Sequence, residues 1–263
     1  MNAFIAQITP AIAATLIVAG CATAPSGPAI TLDSVVRDAA PASPRWVPAE
    51  PEAVELRVWR NFVALPAKRG MRLEPGDVLQ TGPRSAAAIV FSGAATGEGT
   101  VTLDESTRVR VGSLEVFFGR IFANVRGLFE TTSENIVAGV EGTSYLFEVA
   151  RNRDVRVAVA EGVVTCRPKS AGWAPIRLQP GQMLSSSYPS QAPPRVGAAD
   201  PRELRDAMAW AAEVAKAAEP PAPPPELPPM IIRFPGSFGG SPSGDTPAGS
   251  PGTDRYPERR SPK

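Results

Sequence analysis

The sequence predicts an all-β domain of short strands, with one C-terminal helix and disordered Pro-rich tails. Three observations carry this. Apolar residues alternate at period two in run after run between residues 53 and 186, and glycine-containing turns separate the runs. The chain has 263 residues and thirty prolines, more than half of them after residue 186. Between Gly76 and Ser185 only Pro83, Pro168, Pro175 and Pro180 occur, so a core of about 110 residues, enough to bury a hydrophobic interior, stands between two tails. Short strands with glycine corners fit either a twisted sandwich or a short solenoid-like stack.

The elements follow in order. Residues 21–52 hold Pro41, Pro44, Pro48 and Pro51 and read as a flexible tether, with Trp46 as a local anchor. Val54, Leu56 and Val58 alternate with charged residues and Trp59, the pattern of a half-buried strand, and Asn61 to Leu65 continues it or pairs with it. Ser85 to Phe91 is apolar on both faces and reads as a central strand. Asp104 to Thr107 forms a turn between Thr100–Leu103 and Arg108–Val111. Leu114–Phe118 and Ile121–Val125 flank Gly119-Arg120, which suits a two-residue type II′ hairpin. Thr143 to Val149 places Tyr145, Phe147 and Val149 on one face, with Gly142 before it at a position suited to positive φ or close backbone approach. Arg151 to Asp154 is a charged hairpin tip, and Val155 to Val159 returns. Phe117, Phe122, Tyr145 and Phe147 at this spacing read as core rather than as a ligand pocket.

Residues 200–218 carry the helix. Asp200 caps it, Pro201 opens it and Glu203 completes a capping box. Leu204, Ala207, Met208, Ala211, Ala215 and Ala218 form its apolar stripe. Residues 219–263 are polyproline followed by a Gly/Ser/Pro tail too polar to fold, with Met230 to Phe234 as an apolar island.

The N-terminus reads as an address. Residues 1–20 form a signal peptide whose apolar stretch, Ala11 to Val18, is too short to span a membrane permanently. It ends in Val18-Ala19-Gly20-Cys21, which resembles the lipobox of bacterial lipoproteins. The resemblance implies cleavage by signal peptidase II after Gly20 and lipidation of Cys21. Two or more acyl chains give stable membrane attachment. Ala22, where an Asp would retain a Gram-negative lipoprotein in the inner membrane, implies the outer membrane, facing the periplasm. Cys166 is then without an intrachain partner and reads as a buried, inert thiol.

The glycine-centred motifs carry a second resemblance. Gly76, Asp77, Thr81 and Gly82 lie upstream. Gly119, then Val140, Gly142 and Thr143, then Glu161 and Gly162 follow. Together they resemble the FecR domain, an extracytoplasmic all-β module, over roughly residues 70–186 of a FecR-like β domain set at 53–186. FecR transducers also carry an anti-sigma segment, a membrane span and a receptor-facing α/β domain. This chain matches the β module alone and is similar to a stand-alone lipoprotein form, which implies no direct hold on a sigma factor.

Composition limits the function. Histidine is absent and net charge is +1. With no imidazole, every Ser-His-Asp or Cys-His arrangement is excluded, and no phosphate loop or paired-carboxylate motif replaces it. No catalytic residues, cofactor or metal ligands are expected. No basic run accompanies aromatic residues, so no nucleic acid is expected as partner. Two readings remain. One is a non-enzymatic envelope protein whose β domain docks to another envelope protein or a cell-wall polymer. The other is a ligand-sensing accessory of a transmembrane signalling system.

Overall fold

The computed structural model describes residues 29–40, 45–49, 55–93, 98–170, 172–189 and 192–217. The Cys21 lipobox, the signal peptide and residues 219–263 lie outside them. In chain order the strands are β1 (Ala29–Asp38), β2 (Trp46–Pro48), β3 (Leu56–Arg60), β4 (Val63–Leu65), β5 (Met71–Leu73), β6 (Val78–Thr81), β7 (Ser85–Ser92) and β8 (Glu98–Leu103). Then come β9 (Arg108–Arg110), β10 (Leu114–Thr132), β11 (Ile136–Val149), β12 (Val155–Glu161), β13 (Val164–Pro168), β14 (Ile176–Leu178), β15 (Gln182–Ser186) and β16 (Arg195–Ala198). Helix α1 (Pro201–Ala217) closes the series. The all-β class with one C-terminal helix is observed.

All strands belong to one antiparallel network whose main path runs β16-β15-β12-β11-β10-β8-β7-β1-β2. β7 sits between β1 and β8 and is buried on both faces, as its two-sided apolar sequence requires. The network curls on itself. Thr132 pairs with Val137 at one end of the β10–β11 hairpin and Gly119 with Val149 at the other. A straight hairpin would hold those ends on the order of 40 Å apart. Yet Glu134 in the β10–β11 turn pairs with Arg153 beyond Val149 at 3.0 Å, so the hairpin folds back. One core, including Leu32, Leu79, Leu103, Ile121, Tyr145 and Val164, fills the enclosed space.

The bends sit where the long strands change partners. β10 pairs with β9 through Glu115, Val116 and Phe118, then with β8 from Ile121 to Arg126. Gly119, at φ +100°, marks the change. A Cβ there would lie 2.5 Å from Thr107 Cα. The expected hairpin at Gly119-Arg120 is therefore a bend inside a continuous strand, in register with Val149 and Glu148 of β11: a bend and a tight turn can want the same positive φ, and only distant partners distinguish them. β11 behaves alike, pairing with β13 before Gly142 and with β12 after it.

The expected tether over residues 21–52 is corrected where it is described. Ala29–Asp38 is an interior strand, paired with β7 on one side and with β5 and β2 on the other. A register shift between Leu32 and Ser34 breaks its period, which hides Ile30, Leu32 and Val35 as one apolar face. β16 likewise extends the sheet beyond residue 186.

α1 covers the sheet's outer face. Leu204 and Ala207 pack with Phe122, Leu146 and Ala158, and Val214 packs with Val36, Trp46, Ala86 and Ala88. Trp46 is thus a core residue of this outer layer. The seam is Leu204, Ala207, Ala211 and Val214, with Trp210 and Ala217 beside it; Met208 and Ala215 of the expected stripe are exposed, and Ala218 lies outside the described residues. Asp200 Oδ1 accepts a hydrogen bond from Arg202 N–H at 2.8 Å, as an N-cap does. Glu203 turns away from the expected capping box and pairs with Arg156 on β12.

Candidate functional site

The glycine-centred motifs build scaffold corners, and the structure gathers them into three. At the first, Gly76 N–H donates to Val111 O at 2.7 Å. The buried Asp77 carboxylate accepts from Arg60 Nε and Nη2 at 2.8 and 2.7 Å and from Glu74 N–H at 2.9 Å. Burial pushes this carboxyl up, but the Arg60 hydrogen bonds, the Glu74 N–H and the Arg60 charge outweigh it. The pKa lies below the ordinary carboxylate value.

The second corner joins Thr81, Gly82, Thr107 and Gly119. Thr81 Oγ1 donates to Asp104 O at 2.5 Å and accepts from Thr107 N–H at 3.0 Å. Thr107 Oγ1 accepts from Arg120 N–H at 3.1 Å. Gly82 N–H donates to Glu55 O at 2.6 Å, and a side chain at Gly82 would collide with Glu55.

The third corner joins Val140, Gly142, Thr143 and Gly162. Val140 is buried, and Thr143 Oγ1 donates to Val163 O at 3.0 Å. Gly142 takes φ +62° but has open space where a Cβ would point. The close approach is at Gly162 instead, where a Cβ would lie 2.5 Å from Gly142 O. Glu161 is exposed at the end of β12.

Next to this third corner the surface opens into a groove of about 910 Å³. One wall is the outward face of β10, β11, β13 and β14. The other is formed by the turns at Pro75 and at Gly112-Ser113, with Ile30 at its end. The strand registers place Glu130 opposite Gly139, Gly139 opposite Thr165, and Thr165 opposite Arg177, a single row across four strands. Gly139 leaves bare backbone in the middle of that row. Leu128 stands at the lip, 75 % exposed, beside the register shift that bends β10.

Charge in the groove is partly committed. Arg167 pairs with Glu130 at 3.1 Å, and in the adjoining hollow Arg110 and Lys169 both pair with Glu115, at 3.0 and 3.1 Å. Arg177 and Glu141 make no ion pair with the described residues. An apolar lip, exposed backbone and unspent opposite charges suit binding of a chain with alternating side chains. Among the described residues no three His, Cys, Asp or Glu side chains stand close enough to hold a metal ion.

Cys166 lies on the inner face of β13, fully buried, and burial pushes its thiol up to about 12. It has no thiolate at neutral pH and is inert. Tyr145 is also fully buried; its hydroxyl meets Thr131 Oγ1 at 2.6 Å, and burial raises its pKa. The charged tip Arg151–Asp154 meets the β10–β11 turn, where Arg153 pairs with Glu134 at 3.0 Å. Asn152 and Asp154 bond each other there, and Arg151 stacks on Phe118 at 4.8 Å.

No family model matches the chain, and no curated protein does. Two crystal structures of a candidate anti-sigma factor from Parabacteroides distasonis align with it, at TM-scores of 0.33 and 0.32 and 15 % identity. They cover 53 % and 54 % of this chain and 62 % and 63 % of their own, so the chain spans less than two thirds of their length.

The groove residues Leu128, Gly139, Thr165 and Arg177 gave no signal in the sequence. They come from separate strand segments, and only the long-range pairing of β10, β11, β13 and β14 unites them. One hint was present: an exposed-face leucine between Gly127 and Phe129 in an otherwise alternating run.

Proposed function

We propose that this chain is a lipoprotein tied through Cys21 to the periplasmic face of the outer membrane. On this reading its FecR-like β module works without chemistry of its own, docking another envelope component, a protein or a cell-wall polymer, in the groove at Leu128 and Arg177. The groove supports this most directly. It offers apolar contact, bare backbone at Gly139 and a free guanidinium side by side, a combination for holding a chain rather than for moving protons. No group in it combines an acid, a base and an activated nucleophile. No helix of the described residues is long and apolar enough to cross a membrane.

The groove's volume also lies in the range of small-molecule sites, which favours the second reading, a ligand-sensing accessory of a signalling system. One experiment separates the two. The mature chain, from residue 21 onward with Cys21→Ser, is incubated with solubilised envelope and with purified sacculi. The same is done with a Leu128→Glu, Arg177→Glu variant. The docking reading expects one component recovered reproducibly and lost at least about tenfold in the variant. Recovery of a small molecule alone supports the sensing reading. Hydrolase or transferase activity with nothing recovered overturns both. Acyl-label incorporation by the full chain, lost in Cys21→Ser, tests the anchor separately.

A further inference from the structure

We propose that the tip of the β3–β4 hairpin, Phe62 with Val63, inserts into the lipid surface and orients the domain on its membrane. The inference rests on the Cys21 anchor proposed above. Its first support is conformational. Arg60 pairs with Val63 across a two-residue turn, Asn61-Phe62, with both residues at positive φ, +48° and +64°. A turn with two positive φ values favours Asn, Asp and Gly. Asn61 fits that rule and Phe62 does not. A bulky aromatic residue in the left-handed region is an outlier that points to function.

The second support is exposure. Phe62 is 102 % exposed and Val63 61 % exposed, and Ala64 beside them is also exposed. The ring makes no compensating contact inside the domain. β4 pairs with β3 alone among the described residues, so its outer edge is free as well. Basic residues adjoin the tip: Arg72 O accepts from Arg60 Nη2 at 3.3 Å, and Lys68, Arg69 and Arg72 are exposed in the same stretch. An apolar tip flanked by cations suits an anionic lipid surface.

The third support is reach. Cys21 precedes Ala29, the start of β1, by eight residues, which span at most about 28 Å when fully extended. Ile30 pairs with Leu73, and Arg60 reaches the neighbouring Arg72 and Glu74. The end of β1 nearest the anchor and the hairpin tip therefore belong to one end of the domain. Along β1, β7, β8, β10 and β11 the Arg151–Asp154 tip lies beyond the end marked by Arg37, Ser85, Gly119 and Val149, away from Ala29.

The test places one cysteine at the tip. Full-chain Phe62→Cys is labelled with an NBD fluorophore; an acylated Cys21 cannot take the label, and Cys166 is buried. The protein is reconstituted in phosphatidylethanolamine–phosphatidylglycerol vesicles containing doxyl-labelled lipid. Asn152→Cys serves as the distal control. Blue-shifted emission quenched by the doxyl lipid at 62, with water-like emission at 152, is expected. Water-like emission at 62 in acylated, vesicle-bound protein overturns the inference and leaves the anchor standing. If the chain takes no acyl group, the mature chain with Cys21→Ser is titrated with the same vesicles. Phe62→Asp, which suits the turn and keeps the hairpin, then lowers partitioning about tenfold. Equal partitioning overturns the inference.

Discussion

Two glycines 20 residues apart look alike in the sequence, and the fold gives them different costs. Gly142 and Gly162 both take positive φ, +62° and +80°. An alanine at either position bears about 1–2 kcal/mol of left-handed strain, offset by about 0.4–1 kcal/mol from the stiffer unfolded chain. At Gly142 nothing lies within 4 Å of the new methyl, so Gly142→Ala should cost about 1 kcal/mol net. At Gly162 the methyl would sit 2.5 Å from Gly142 O and 2.8 Å from Thr143 Oγ1. Neither neighbour yields easily: the first is backbone, and the second is held by its bond to Val163 O at 3.0 Å. Such overpacking adds about 1–3 kcal/mol. Gly162→Ala should therefore cost about 2–4 kcal/mol in all. For a domain of this size the melting temperature falls by about 2–4 °C per kcal/mol. The expected losses are about 3 °C at Gly142 and about 10 °C at Gly162. Thermal melts followed by far-UV circular dichroism measure both, and an unchanged m-value in urea titration confirms that native stability is what moved. Equal losses, or the larger loss at Gly142, would refute the assignment of the tight corner to Gly162.

Other outcomes follow from the same geometry. The folded-state pKa of Asp77 lies below its ordinary value of 3.8. Its contribution to stability is then full above that pH and disappears as pH falls through the lower folded value. Arg60→Gln should lower stability at neutral pH and flatten the stability profile below pH 3.8; a variant that keeps the wild-type acid slope would show that other carboxylates set it. Val214 is fully buried against Trp46, Val36, Ala86 and Ala88, whereas Met208 on the same helix is 37 % exposed. Val214→Ala should cost about 2 kcal/mol and Met208→Ala about 0.5 kcal/mol or less by thermal melts. A comparable loss at Met208 would contradict the observed helix face.

Much of the fold was legible because local chemistry and tertiary position agree. Ser85 to Phe91 is apolar on both faces and is central; Asp200-Pro201 starts the helix it announces. Legibility failed where a strand carries an irregularity. The register shift after Leu32 hides β1, and the positive φ at Gly119 imitates a hairpin, because a bend within a strand and a tight turn can demand the same backbone of one residue. The helix face was legible at Leu204, Ala207 and Ala211 and misread at Met208 and Ala215, because alanine marks a helix without marking its side; Trp210 and Val214 decide it by what they meet. The groove was legible only as the hint at Leu128. Its row from Glu130 to Arg177 exists only after two pairs of consecutive strands, β10–β11 and β13–β14, have joined through β11 and β13.

The central claim is that this domain acts by holding an envelope component at the Leu128 groove. A photo-crosslinking amino acid placed at Leu128 in the full chain tests it in living cells, with Met208 on the outer face of α1 as the comparison site. The account expects one defined adduct, protein or glycan, from Leu128 and none of that species from Met208. Its yield should fall when Arg177→Glu is added. No adduct at Leu128, or the same adducts from both sites, would contradict it.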